Sequence, residues 1–464
     1  MTDIGALSRD LGAIRTVVDR AQVKLRSRDF YWYSPILKKQ LRDVTADLVV
    51  MPADEAELIE TLKACHARGV PVTPRGAGTG NYGQAMPLKG GVLLDLSLMN
   101  AIPRIEPGRV RAQAGAKLIE IDTRAQAETR QEQRMHPSTL RTATVGGFVA
   151  GGSGGVGSVT WGGLRDRGNV LGLRVLTMEA RPRVLELRGD DVQKIVHAYG
   201  TTGIVTEVEM ALAPAYDWID VILGFADFGS AVRFSHMLTA QDALLKKLVT
   251  SIATPIPQLY FRQLKDIVPP DTHVVLAMIA PLAMEAFESL LESWPADMLH
   301  RSDRDGRRNL PPVYEFSWNH STLLALKVDR AITYHQVLYP PPGHLAKIAH
   351  LHATQGDDVM DHLEFVRFDG QVAAFGLPLI RFTDERRLLQ IEGTFAAAGC
   401  PTFSPHACTL EEGGMKRVDP VQLAFKREAD PQGLLNPGKM IAWERPDYDG
   451  TRQAAHLFPA AGGA

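Results

Sequence analysis

The stretch PRGAGTGNYGQ, residues 74–84, constrains the fold of this chain more than any other feature. It carries four glycines and follows the short apolar run GVPVT, so a loop with few side chains leaves a buried strand. Gly78, Gly80 and Gly83 match G-x-G-x-x-G, which in a nicotinamide dinucleotide fold opens a helix. Here Pro87 blocks a helix and the strand GVLLDLS follows. We therefore reject a nicotinamide site and expect the loop amides to hold phosphate as a nest of N–H groups.

A second glycine-rich stretch runs from residue 136 to 177. Gly152, Gly154 and Gly157 repeat the same spacing, and the strand NVLGLRVLT again follows. Two such loops indicate a long ligand that lies between them. Flavin adenine dinucleotide (FAD) is long enough to need both.

The remaining periodicity indicates mixed helices and strands. It predicts helices over 8–25 and over ADEAELIETLKACHARG, with the buried strand ADLVVMP between them. Strand followed by helix is expected in DWIDVILGFADFGSAVRFSHMLTAQDALLKK and again in HVVLAMIAPLAMEAFESLLESW. The strands HLEFVRF and QVAAFGLPLIRF form a hairpin around Asp369-Gly370, a pair typical of tight turns.

Composition excludes several classes of protein. A chain of 464 residues should divide into at least two domains, and its net charge of −2 without a basic run argues against a nucleic-acid partner. Three scattered cysteines give neither a disulfide framework nor a zinc spacing, which favours the cytoplasm. The N-terminus lacks the apolar core of a signal peptide, and no apolar run reaches the ~18 residues of a membrane span.

Four pieces of the chain together resemble a known family. They are VPVTPRGAGTGNYGQAMPLKGGVLLDLS, TVGGFVAGGSGGVGSVTWGGLRDRGNVLGLRVLT, YGTTGIVTEVEMALAP and KREADPQGLLNPGKM, in that order. The pattern is similar to the FAD-binding fold of the vanillyl-alcohol oxidase and para-cresol methylhydroxylase superfamily. Within it, the branch of D-lactate, glycolate and D-2-hydroxyglutarate dehydrogenases shares the ending GLLNPGK.

The resemblance implies a set of cofactor-binding residues. In the family the first loop wraps the FAD pyrophosphate, the second stretch follows the ribityl chain and flavin, a third segment lies near the adenine, and a returning tail closes over the flavin. The matching residues here are Arg75, Gly76, Ala77, Gly78, Thr79, Gly80, Asn81, Tyr82, Gly83, Gln84; Pro137, Ser138, Thr144, Gly146, Gly147, Ala150, Ser153, Gly154; Gly203, Ile204, Val205; and Asn436 and Lys439.

Departures from the family pattern are also informative. Many relatives attach the flavin covalently to a histidine in the first loop, but position 79 is Thr and no histidine lies between Thr73 and Asp95. No cysteine lies between 130 and 160. We therefore expect noncovalent FAD. The dehydrogenase branch usually adds a metal site within a Glu-His-Gly-Ile-Gly segment, whereas this chain has HACTLEEGGMK, so we expect no metal.

The resulting fold class is α+β: a two-part FAD-binding domain of the para-cresol methylhydroxylase type plus an α+β substrate or cap domain with an antiparallel sheet. The expected divisions are 1–45, an N-terminal helical segment; 46–215, the FAD-binding domain; 216–409, the cap domain; 410–445, a segment returning to the FAD-binding domain; and 446–464, a flexible tail.

Catalytic candidates follow from the chemistry of flavin oxidation. A base must remove a hydroxyl proton, and histidine suits that task at neutral pH. His320 and His406 are the first candidates and His362 is a third. Arg367 or Arg381 on the hairpin could clamp a substrate carboxylate. Each of these residues has an alternative structural role, in a hydrogen-bonded core or an internal salt bridge.

The sequence thus predicts a cytoplasmic FAD-dependent dehydrogenase of a small organic substrate, with a 2-hydroxy acid or an alcohol favoured. Its electron acceptor would be a quinone, an electron-transfer protein or oxygen. Two alternatives stay open: an oxidase acting on an alcohol or aromatic substrate, and a flavin-carrying electron-transfer subunit of a larger complex. A homodimer also stays open.

Overall fold

The computed structural model describes residues 4–152, 154–306, 310–414 and 418–448. Its α-helices are α1 (Ile4–Asp10), α2 (Arg20–Arg26), α3 (Pro35–Gln40), α4 (Glu55–Ala67), α5 (Leu118–Thr129), α6 (Val145–Gly151), α7 (Ser158–Trp161), α8 (Phe228–Ala240), α9 (Ile256–Tyr260), α10 (Met284–Leu291), α11 (Ser302–Asp305), α12 (Trp318–Val328), α13 (His344–Thr354), α14 (Glu385–Ala397), α15 (Pro420–Ala429) and α16 (Ile441–Glu444).

The strands are β1 (Arg15–Val17), β2 (Leu48–Met51), β3 (Val72–Arg75), β4 (Val92–Asp95), β5 (Arg104–Glu106), β6 (Arg109–Gln113), β7 (Gln131–Gln133), β8 (Val170–Leu176), β9 (Val184–Arg188), β10 (Ile204–Pro214), β11 (Ile219–Phe225), β12 (Lys246–Ile252), β13 (His273–Ile279), β14 (Asp297–Arg301), β15 (Ile332–Tyr334), β16 (Gln336–Tyr339), β17 (Val359–Met360), β18 (His362–Phe368), β19 (Gln371–Gly376), β20 (Leu379–Arg381) and β21 (Thr402–Phe403).

The first sheet has the order β1-β2-β4-β3. Strands β2 and β3 each pair with β4 in parallel, and β2 and β4 are buried along their whole length, as the apolar runs predict. The glycine-rich loop leaves β3 and reaches β4 without an intervening helix, so the predicted strand-to-strand connection is confirmed. The C-terminal segment returns to this sheet, where Val72 forms a parallel bridge with Leu435.

The second sheet has the order β5-β6-β10-β8-β9 and is antiparallel, with β7 pairing the end of β10. The first and second sheets share one core cluster, in which Leu94, Ala114 and Val175 are buried. The second glycine-rich stretch follows β7, contains the short helices α6 and α7, and ends with β8.

The third sheet belongs to the region predicted as the cap, with the order β14-β11-β13-β12-β18-β19-β16-β21. All of its neighbouring strands are antiparallel. The predicted hairpin is confirmed: β18 and β19 pair around Asp369 and Gly370, with φ angles of 49° and 71°. The second strand ends at Gly376, earlier than predicted, because β20 pairs β15 and β17 in a separate three-stranded sheet. The α+β fold class is confirmed.

One predicted element is wrong. Residues 8–25 do not form one helix, because the chain turns at Gly12 (φ 56°) and β1 then pairs with β2. Helix α2 begins after Asp19, whose carboxylate accepts a hydrogen bond from the Gln22 amide. The predicted N-terminal helical segment, 1–45, therefore contains a strand of the first sheet.

Within the described ranges no helix combines the length and the apolar composition required to cross a bilayer. Of the predicted flexible tail, residues 449–464 lie outside the described residues.

Candidate functional site

A long cleft lies where the two glycine-rich segments meet the start of α12. One wall is the loop that follows β3, a second is the segment around α6, and the third comes from Trp318, Asn319 and His320. The predicted segments, far apart in sequence, therefore face one shared space.

The first loop has no room for side chains at its glycines. A Cβ added at Gly76 would lie 2.1 Å from Thr144 Oγ1. One at Gly80 would lie 2.4 Å from Gln84 Oε1. Gly78 also has a φ of 66°, which other L-residues rarely adopt. At Gly76 the loop backbone therefore packs against Thr144 of the facing wall, and at Gly80 it packs against the side chain of Gln84 in the same loop.

The N-terminal segment holds the first loop in place. The Phe30 amide donates to the Gly80 carbonyl at 2.7 Å, and Arg75 Nη1 donates to the Arg28 carbonyl at 2.6 Å. The Asp29 carboxylate, which lines the cleft, accepts from the Ala85 amide at 3.1 Å. Burial raises the pKa of Asp29 to about 6.

The C-terminal segment holds the same loop from behind. Lys439 Nζ donates to the Gly83 carbonyl at 2.6 Å, and Asn436 Nδ2 donates to the carbonyls of Gln84 and Tyr199 at 2.9 and 2.7 Å. Both Lys439 and Asn436 are almost fully buried. These side chains fix the loop through its backbone and do not themselves line the cleft.

The second glycine-rich wall is built on α6. Thr144 caps this helix by accepting the Gly147 amide at 3.3 Å. A Cβ at Gly146 would lie 2.5 Å from the Cβ of Ala114, so α6 packs directly against the second sheet. The backbone of Gly154 packs closely against the Trp318 ring. A Cβ added at Gly154 would lie 2.8 Å from Cη2 of that ring.

Most of the predicted cofactor residues line this cleft. They are Arg75, Gly76, Ala77, Gly78, Thr79, Gly80, Asn81, Tyr82, Gln84, Pro137, Ser138, Thr144, Gly146, Gly147, Ala150, Gly154, Gly203 and Val205. Four others are packed behind its surface: Gly83, Ile204, Asn436 and Lys439. Ser153 lies outside the described residues.

His320 is the candidate base that lines the cleft. Its Nδ1 lies 2.7 Å from Glu315 Oε2, and both side chains are largely buried. A carboxylate at Nδ1 favours the tautomer that carries its proton there, which leaves Nε2 able to accept one. Glu315 was not predicted, although it lies only five residues before His320 in YEFSWNH.

His406 is not among the residues that line the cleft. Its Nδ1 lies 2.7 Å from Ser34 Oγ, and its ring packs edge-on against His335 with centroids 5.1 Å apart. Burial, together with His335, holds the pKa of His406 well below its usual range. The structure therefore places this candidate in a buried packing role instead of at the cleft.

The two candidate arginines are occupied by protein acids. Arg367 pairs with Asp242 and donates to the Thr239 carbonyl at 3.1 Å, and it borders a smaller cavity beside the cleft. Arg381 Nε lies 3.7 Å from Asp329. Both arginines therefore pair with acids of the same chain, although Asp242 is 85% exposed and Arg381 is 54% exposed, so these pairs lie at the surface.

His362, the third candidate, belongs to a buried network. Its Nε2 lies 2.7 Å from Glu364 Oε1, which also accepts the Trp318 amide at 2.6 Å. Glu364 Oε2 accepts the Thr250 hydroxyl at 2.6 Å. This network holds the first residue of α12, at which Trp318 has a φ of 48°. The network therefore stabilises the turn before α12, and this turn positions His320 in the lining of the cleft.

Several further residues of the cleft were missed. Asp29, Tyr33, His197, Tyr199, Trp318 and Gln336 line it. His197 and Tyr199 have φ angles of 61° and 53°, and burial lowers the pKa of His197 to about 3. Tyr199 opens the quoted piece YGTTGIVTEVEMALAP, but no pattern singled out the side chains of these residues, because each reaches the cleft through tertiary packing.

Comparison with known proteins identifies the region that contains the first loop. Residues 46–186 match the model of a family described as FAD binding domain. This region is an FAD-binding domain. The match confirms the predicted resemblance and the prediction of FAD as the cofactor.

The chain is also similar to curated relatives over somewhat more than a third of its length. An FAD-linked oxidoreductase of Mycobacterium tuberculosis is 35% identical over 187 residues, 38% of this chain and 40% of that protein. Glycolate oxidase subunit GlcD of Escherichia coli is 32% identical over 188 residues, 39% and 37% of the two chains. D-lactate dehydrogenase of Anaerostipes hadrus is 31% identical over 182 residues, 36% and 37% of the two chains. The matched region thus spans about two-fifths of these relatives or slightly less.

A solved structure extends the similarity of fold beyond this domain. Alkyldihydroxyacetonephosphate synthase superposes with a TM-score of 0.69 over 94% of this chain and 85% of that chain, at 16% identity. The overall fold is therefore shared with that protein.

The residues of the cleft suit FAD. Gly76, Gly78 and Gly80 line the cleft, and a backbone without Cβ atoms can bring its amides close to a pyrophosphate, as in other anion-binding nests. The cleft then continues past α6 to the aromatic ring of Trp318 and to His320. The cleft therefore has a glycine-rich end, where backbone amides could hold phosphate, and an end lined by Trp318 and His320.

Proposed function

We propose that this chain is an FAD-dependent oxidoreductase that dehydrogenates a small organic substrate at a hydroxyl-bearing carbon, with the FAD held noncovalently. The observation that carries the proposal is the pairing of His320 with Glu315 in a cleft whose other walls are glycine-rich. A dinucleotide cradle and a carboxylate-oriented base are the two parts that such a reaction needs.

His320 would act as the general base. With Nδ1 held by Glu315, Nε2 is the ring nitrogen that takes the hydroxyl proton. When bound, FAD supplies an acceptor for the hydride of the adjacent carbon, so the substrate loses two electrons and becomes a carbonyl compound. Glu315 orients the ring and stabilises the imidazolium once it forms.

Noncovalent attachment is supported by the side chains of the cleft. Thr79 occupies the first loop, and no cysteine is among the described residues that line the cleft. The loop is instead bonded to its surroundings through Arg28, Phe30 and Lys439. Its amides remain the groups that hold the cofactor.

The names of the relatives, glycolate oxidase subunit and D-lactate dehydrogenase, support chemistry at a hydroxyl-bearing carbon. The electron acceptor is a quinone, an electron-transfer protein or oxygen. These alternatives differ in how the reduced protein is reoxidised.

Anaerobic flavin reduction tests the proposal. The purified protein is mixed with glycolate, D-lactate, D-2-hydroxyglutarate or an aromatic alcohol, and the visible absorbance of the flavin is followed. We expect bleaching by at least one compound, and reoxidation by air or by a dye then identifies the class of acceptor. Bleaching by dithionite but by no compound of the panel would contradict the proposal.

A further inference from the structure

Residues 15–42 concentrate positive charge on a chain that is acidic elsewhere. This segment has eight lysines and arginines against two aspartates, a net charge of +6, whereas the whole chain carries −2. Its cations are Arg15, Arg20, Lys24, Arg26, Arg28, Lys38, Lys39 and Arg42. Asp29 is buried, so Asp19 is the exposed acid of the segment. The segment therefore attracts anionic partners.

Most of these cations are not neutralised by the chain itself. Arg26 pairs with Asp95 at 2.8 Å, and Arg42 pairs with Asp43 at 3.1 Å. Among the described residues, the other six cations have no acidic group within ion-pair distance, and all six are exposed. Their charge is therefore available to a partner.

Helix α2 displays an apolar side chain beside these cations. Val23 is buried in the core cluster that contains Val49 of β2. With 3.6 residues per turn, Leu25 lies on the opposite side of α2, where it is 65% exposed. Arg20 and Lys24 lie beside it, one turn apart and both exposed. The outer side of α2 therefore combines positive charge with apolar surface.

Exposed apolar side chains continue before and after α2. Val18 precedes the helix, and Trp32 follows it. The Trp32 ring packs edge-on against Tyr33, with centroids 4.8 Å apart, and this contact holds it at the surface. Arg28 adds an exposed cation between α2 and Trp32. We call the exposed residues of this region the basic face: Val18, Arg20, Lys24, Leu25, Arg28 and Trp32.

The basic face adjoins the first loop of the cleft. The Arg28 carbonyl accepts from Arg75 Nη1, and the Phe30 amide donates to the Gly80 carbonyl. Phe30 and Tyr33 themselves line the cleft. A partner on the basic face therefore lies beside the glycine-rich end of the cleft.

Aliphatic and tryptophan side chains exposed among cations are typical of protein surfaces that lie on anionic bilayers. The cations attract the charged headgroups, and the apolar side chains enter the boundary between headgroups and acyl chains. An acidic protein would attract the same cations, but it would need a matching apolar surface for Val18, Leu25 and Trp32. The composition of the basic face therefore favours a bilayer.

We infer that the basic face docks this chain on the surface of an anionic lipid bilayer. Arg20, Lys24 and Arg28 bind the headgroups, and Leu25 enters the boundary with the acyl chains. Docking is peripheral, and salt weakens it because the cations are exposed. The inference goes beyond the proposed function, since lipid binding requires neither a substrate nor flavin reduction.

Vesicle flotation measures docking of the FAD-loaded protein. Vesicles of phosphatidylcholine are compared with vesicles of an equal mixture of phosphatidylcholine and phosphatidylglycerol, in low and in high salt. We expect the protein to bind the mixed vesicles at least tenfold more tightly in low salt and to lose at least tenfold in affinity in high salt. Equal binding to the two kinds of vesicle, or binding that salt does not weaken, overturns the inference.

Two matched double variants locate the charge. Arg20→Gln with Lys24→Gln removes two cations of the basic face. Arg262→Gln with Lys265→Gln removes the same two residue types from another exposed segment. We expect the first pair to lower affinity for the mixed vesicles at least tenfold and the second to change it less than twofold. Equal losses in the two double variants overturn the inference.

Two serine variants separate lipid from an acidic protein. Leu25→Ser removes the apolar group of the basic face, and Leu389→Ser removes one that is 67% exposed on α14. We expect Leu25→Ser to lower affinity for the mixed vesicles at least threefold and Leu389→Ser to leave it unchanged. Thermal unfolding checks that each variant is folded.

The remaining outcomes are also decisive. An unchanged affinity in folded Leu25→Ser, or tighter binding to polyglutamate than to the mixed vesicles, would assign the basic face to an acidic protein and overturn lipid docking. If a variant does not fold, the lipid and salt comparisons on the unmodified protein still decide. A protein that docks but whose flavin no substrate reduces retains this inference and loses the proposed function.

Discussion

The contact between His320 and Glu315 places a carboxylate-paired histidine in the lining of the cleft. The carboxylate lies 2.7 Å from Nδ1, and both groups are mostly shielded from water, so the pair is less screened than an exposed one. His406 and His362 each contact a buried partner away from the lining of the cleft. The sequence placed His362 third but did not separate His320 from His406, and the surroundings of these two now distinguish them.

Replacement of His320 by Gln tests the base. Gln cannot take up the proton, so we expect flavin reduction to slow at least about tenfold, roughly 1.4 kcal/mol in activation free energy. FAD affinity should stay within twofold. His406→Gln serves as the control, and in folded protein it should leave the rate within threefold. An unchanged rate in His320→Gln would show that another group accepts the proton.

The sequence predicted single cleft residues best where the proposed role belongs to the backbone. Gly78, Gly80 and Gly83 were marked by their spacing between two strands, and Gly76 was added by the family resemblance. Asp29 and His197 were not, since each lines the cleft only after distant segments pack together. Glu315 had a weak local signal as an acid close to a candidate histidine.

The junction between the first loop and α6 depends on the absence of one Cβ. Gly76→Ala would place a methyl group 2.1 Å from Thr144 Oγ1, the atom that caps α6. Both walls would have to move, so we expect FAD affinity to fall at least tenfold in a fluorescence titration. Gly393→Ala, where an added Cβ meets no atom within 4 Å, is the matched control. It should leave FAD affinity unchanged and add about 0.5 kcal/mol of helix stability. Equal affinities in the two variants would show that the two walls do not need this close contact.

The start of α12 depends on the buried carboxylate of Glu364. It accepts hydrogen bonds from Trp318 and Thr250 and contacts His362. Glu364→Ala leaves buried polar groups without a partner, and we expect the free energy of unfolding to fall by about 3 kcal/mol or more. Replacement of the exposed Glu385 by Ala should lower the free energy of unfolding by less than about 1 kcal/mol. Urea unfolding measures both, and similar losses would remove Glu364 from this role.

Elements with local determinants were predicted and those set by distant pairing were not. The hairpin at Asp369-Gly370 followed from turn chemistry, since both residues adopt positive φ. The helix over 8–25 failed because β1 gains hydrogen bonds from β2, more than thirty residues away. The strand order of the third sheet could not be predicted from the sequence either, because it includes pairs such as Thr250 with Glu364, which are far apart in the chain.

Buried neutral histidines should make the folded protein sensitive to acid. Burial, with Lys247 nearby, lowers the pKa of His136 to about 4, and burial lowers that of His197 to about 3. Their stabilising contribution is complete above the unfolded value of ~6.5 and is lost as pH falls below it. Asp29 acts oppositely, because its raised pKa of about 6 favours the folded state at lower pH.

The histidines outweigh Asp29 between pH 7 and pH 5. Over this interval each histidine lowers the free energy of unfolding by about 2 kcal/mol, and Asp29 raises it by about 1 kcal/mol. We therefore expect the free energy of unfolding to fall by at least about 2 kcal/mol in total. Chemical denaturation at the two pH values measures it. An unfolding free energy at pH 5 that equals or exceeds the value at pH 7 would contradict this prediction.

The account depends on two glycine-rich segments that enclose one dissociable FAD between them. The most direct measurement is the amount of flavin in the purified protein and its fate after denaturation and filtration. We predict about one FAD per chain, recovered entirely in the filtrate. A colourless protein that takes up no added FAD, or a flavin that stays attached to the denatured chain, would contradict the account.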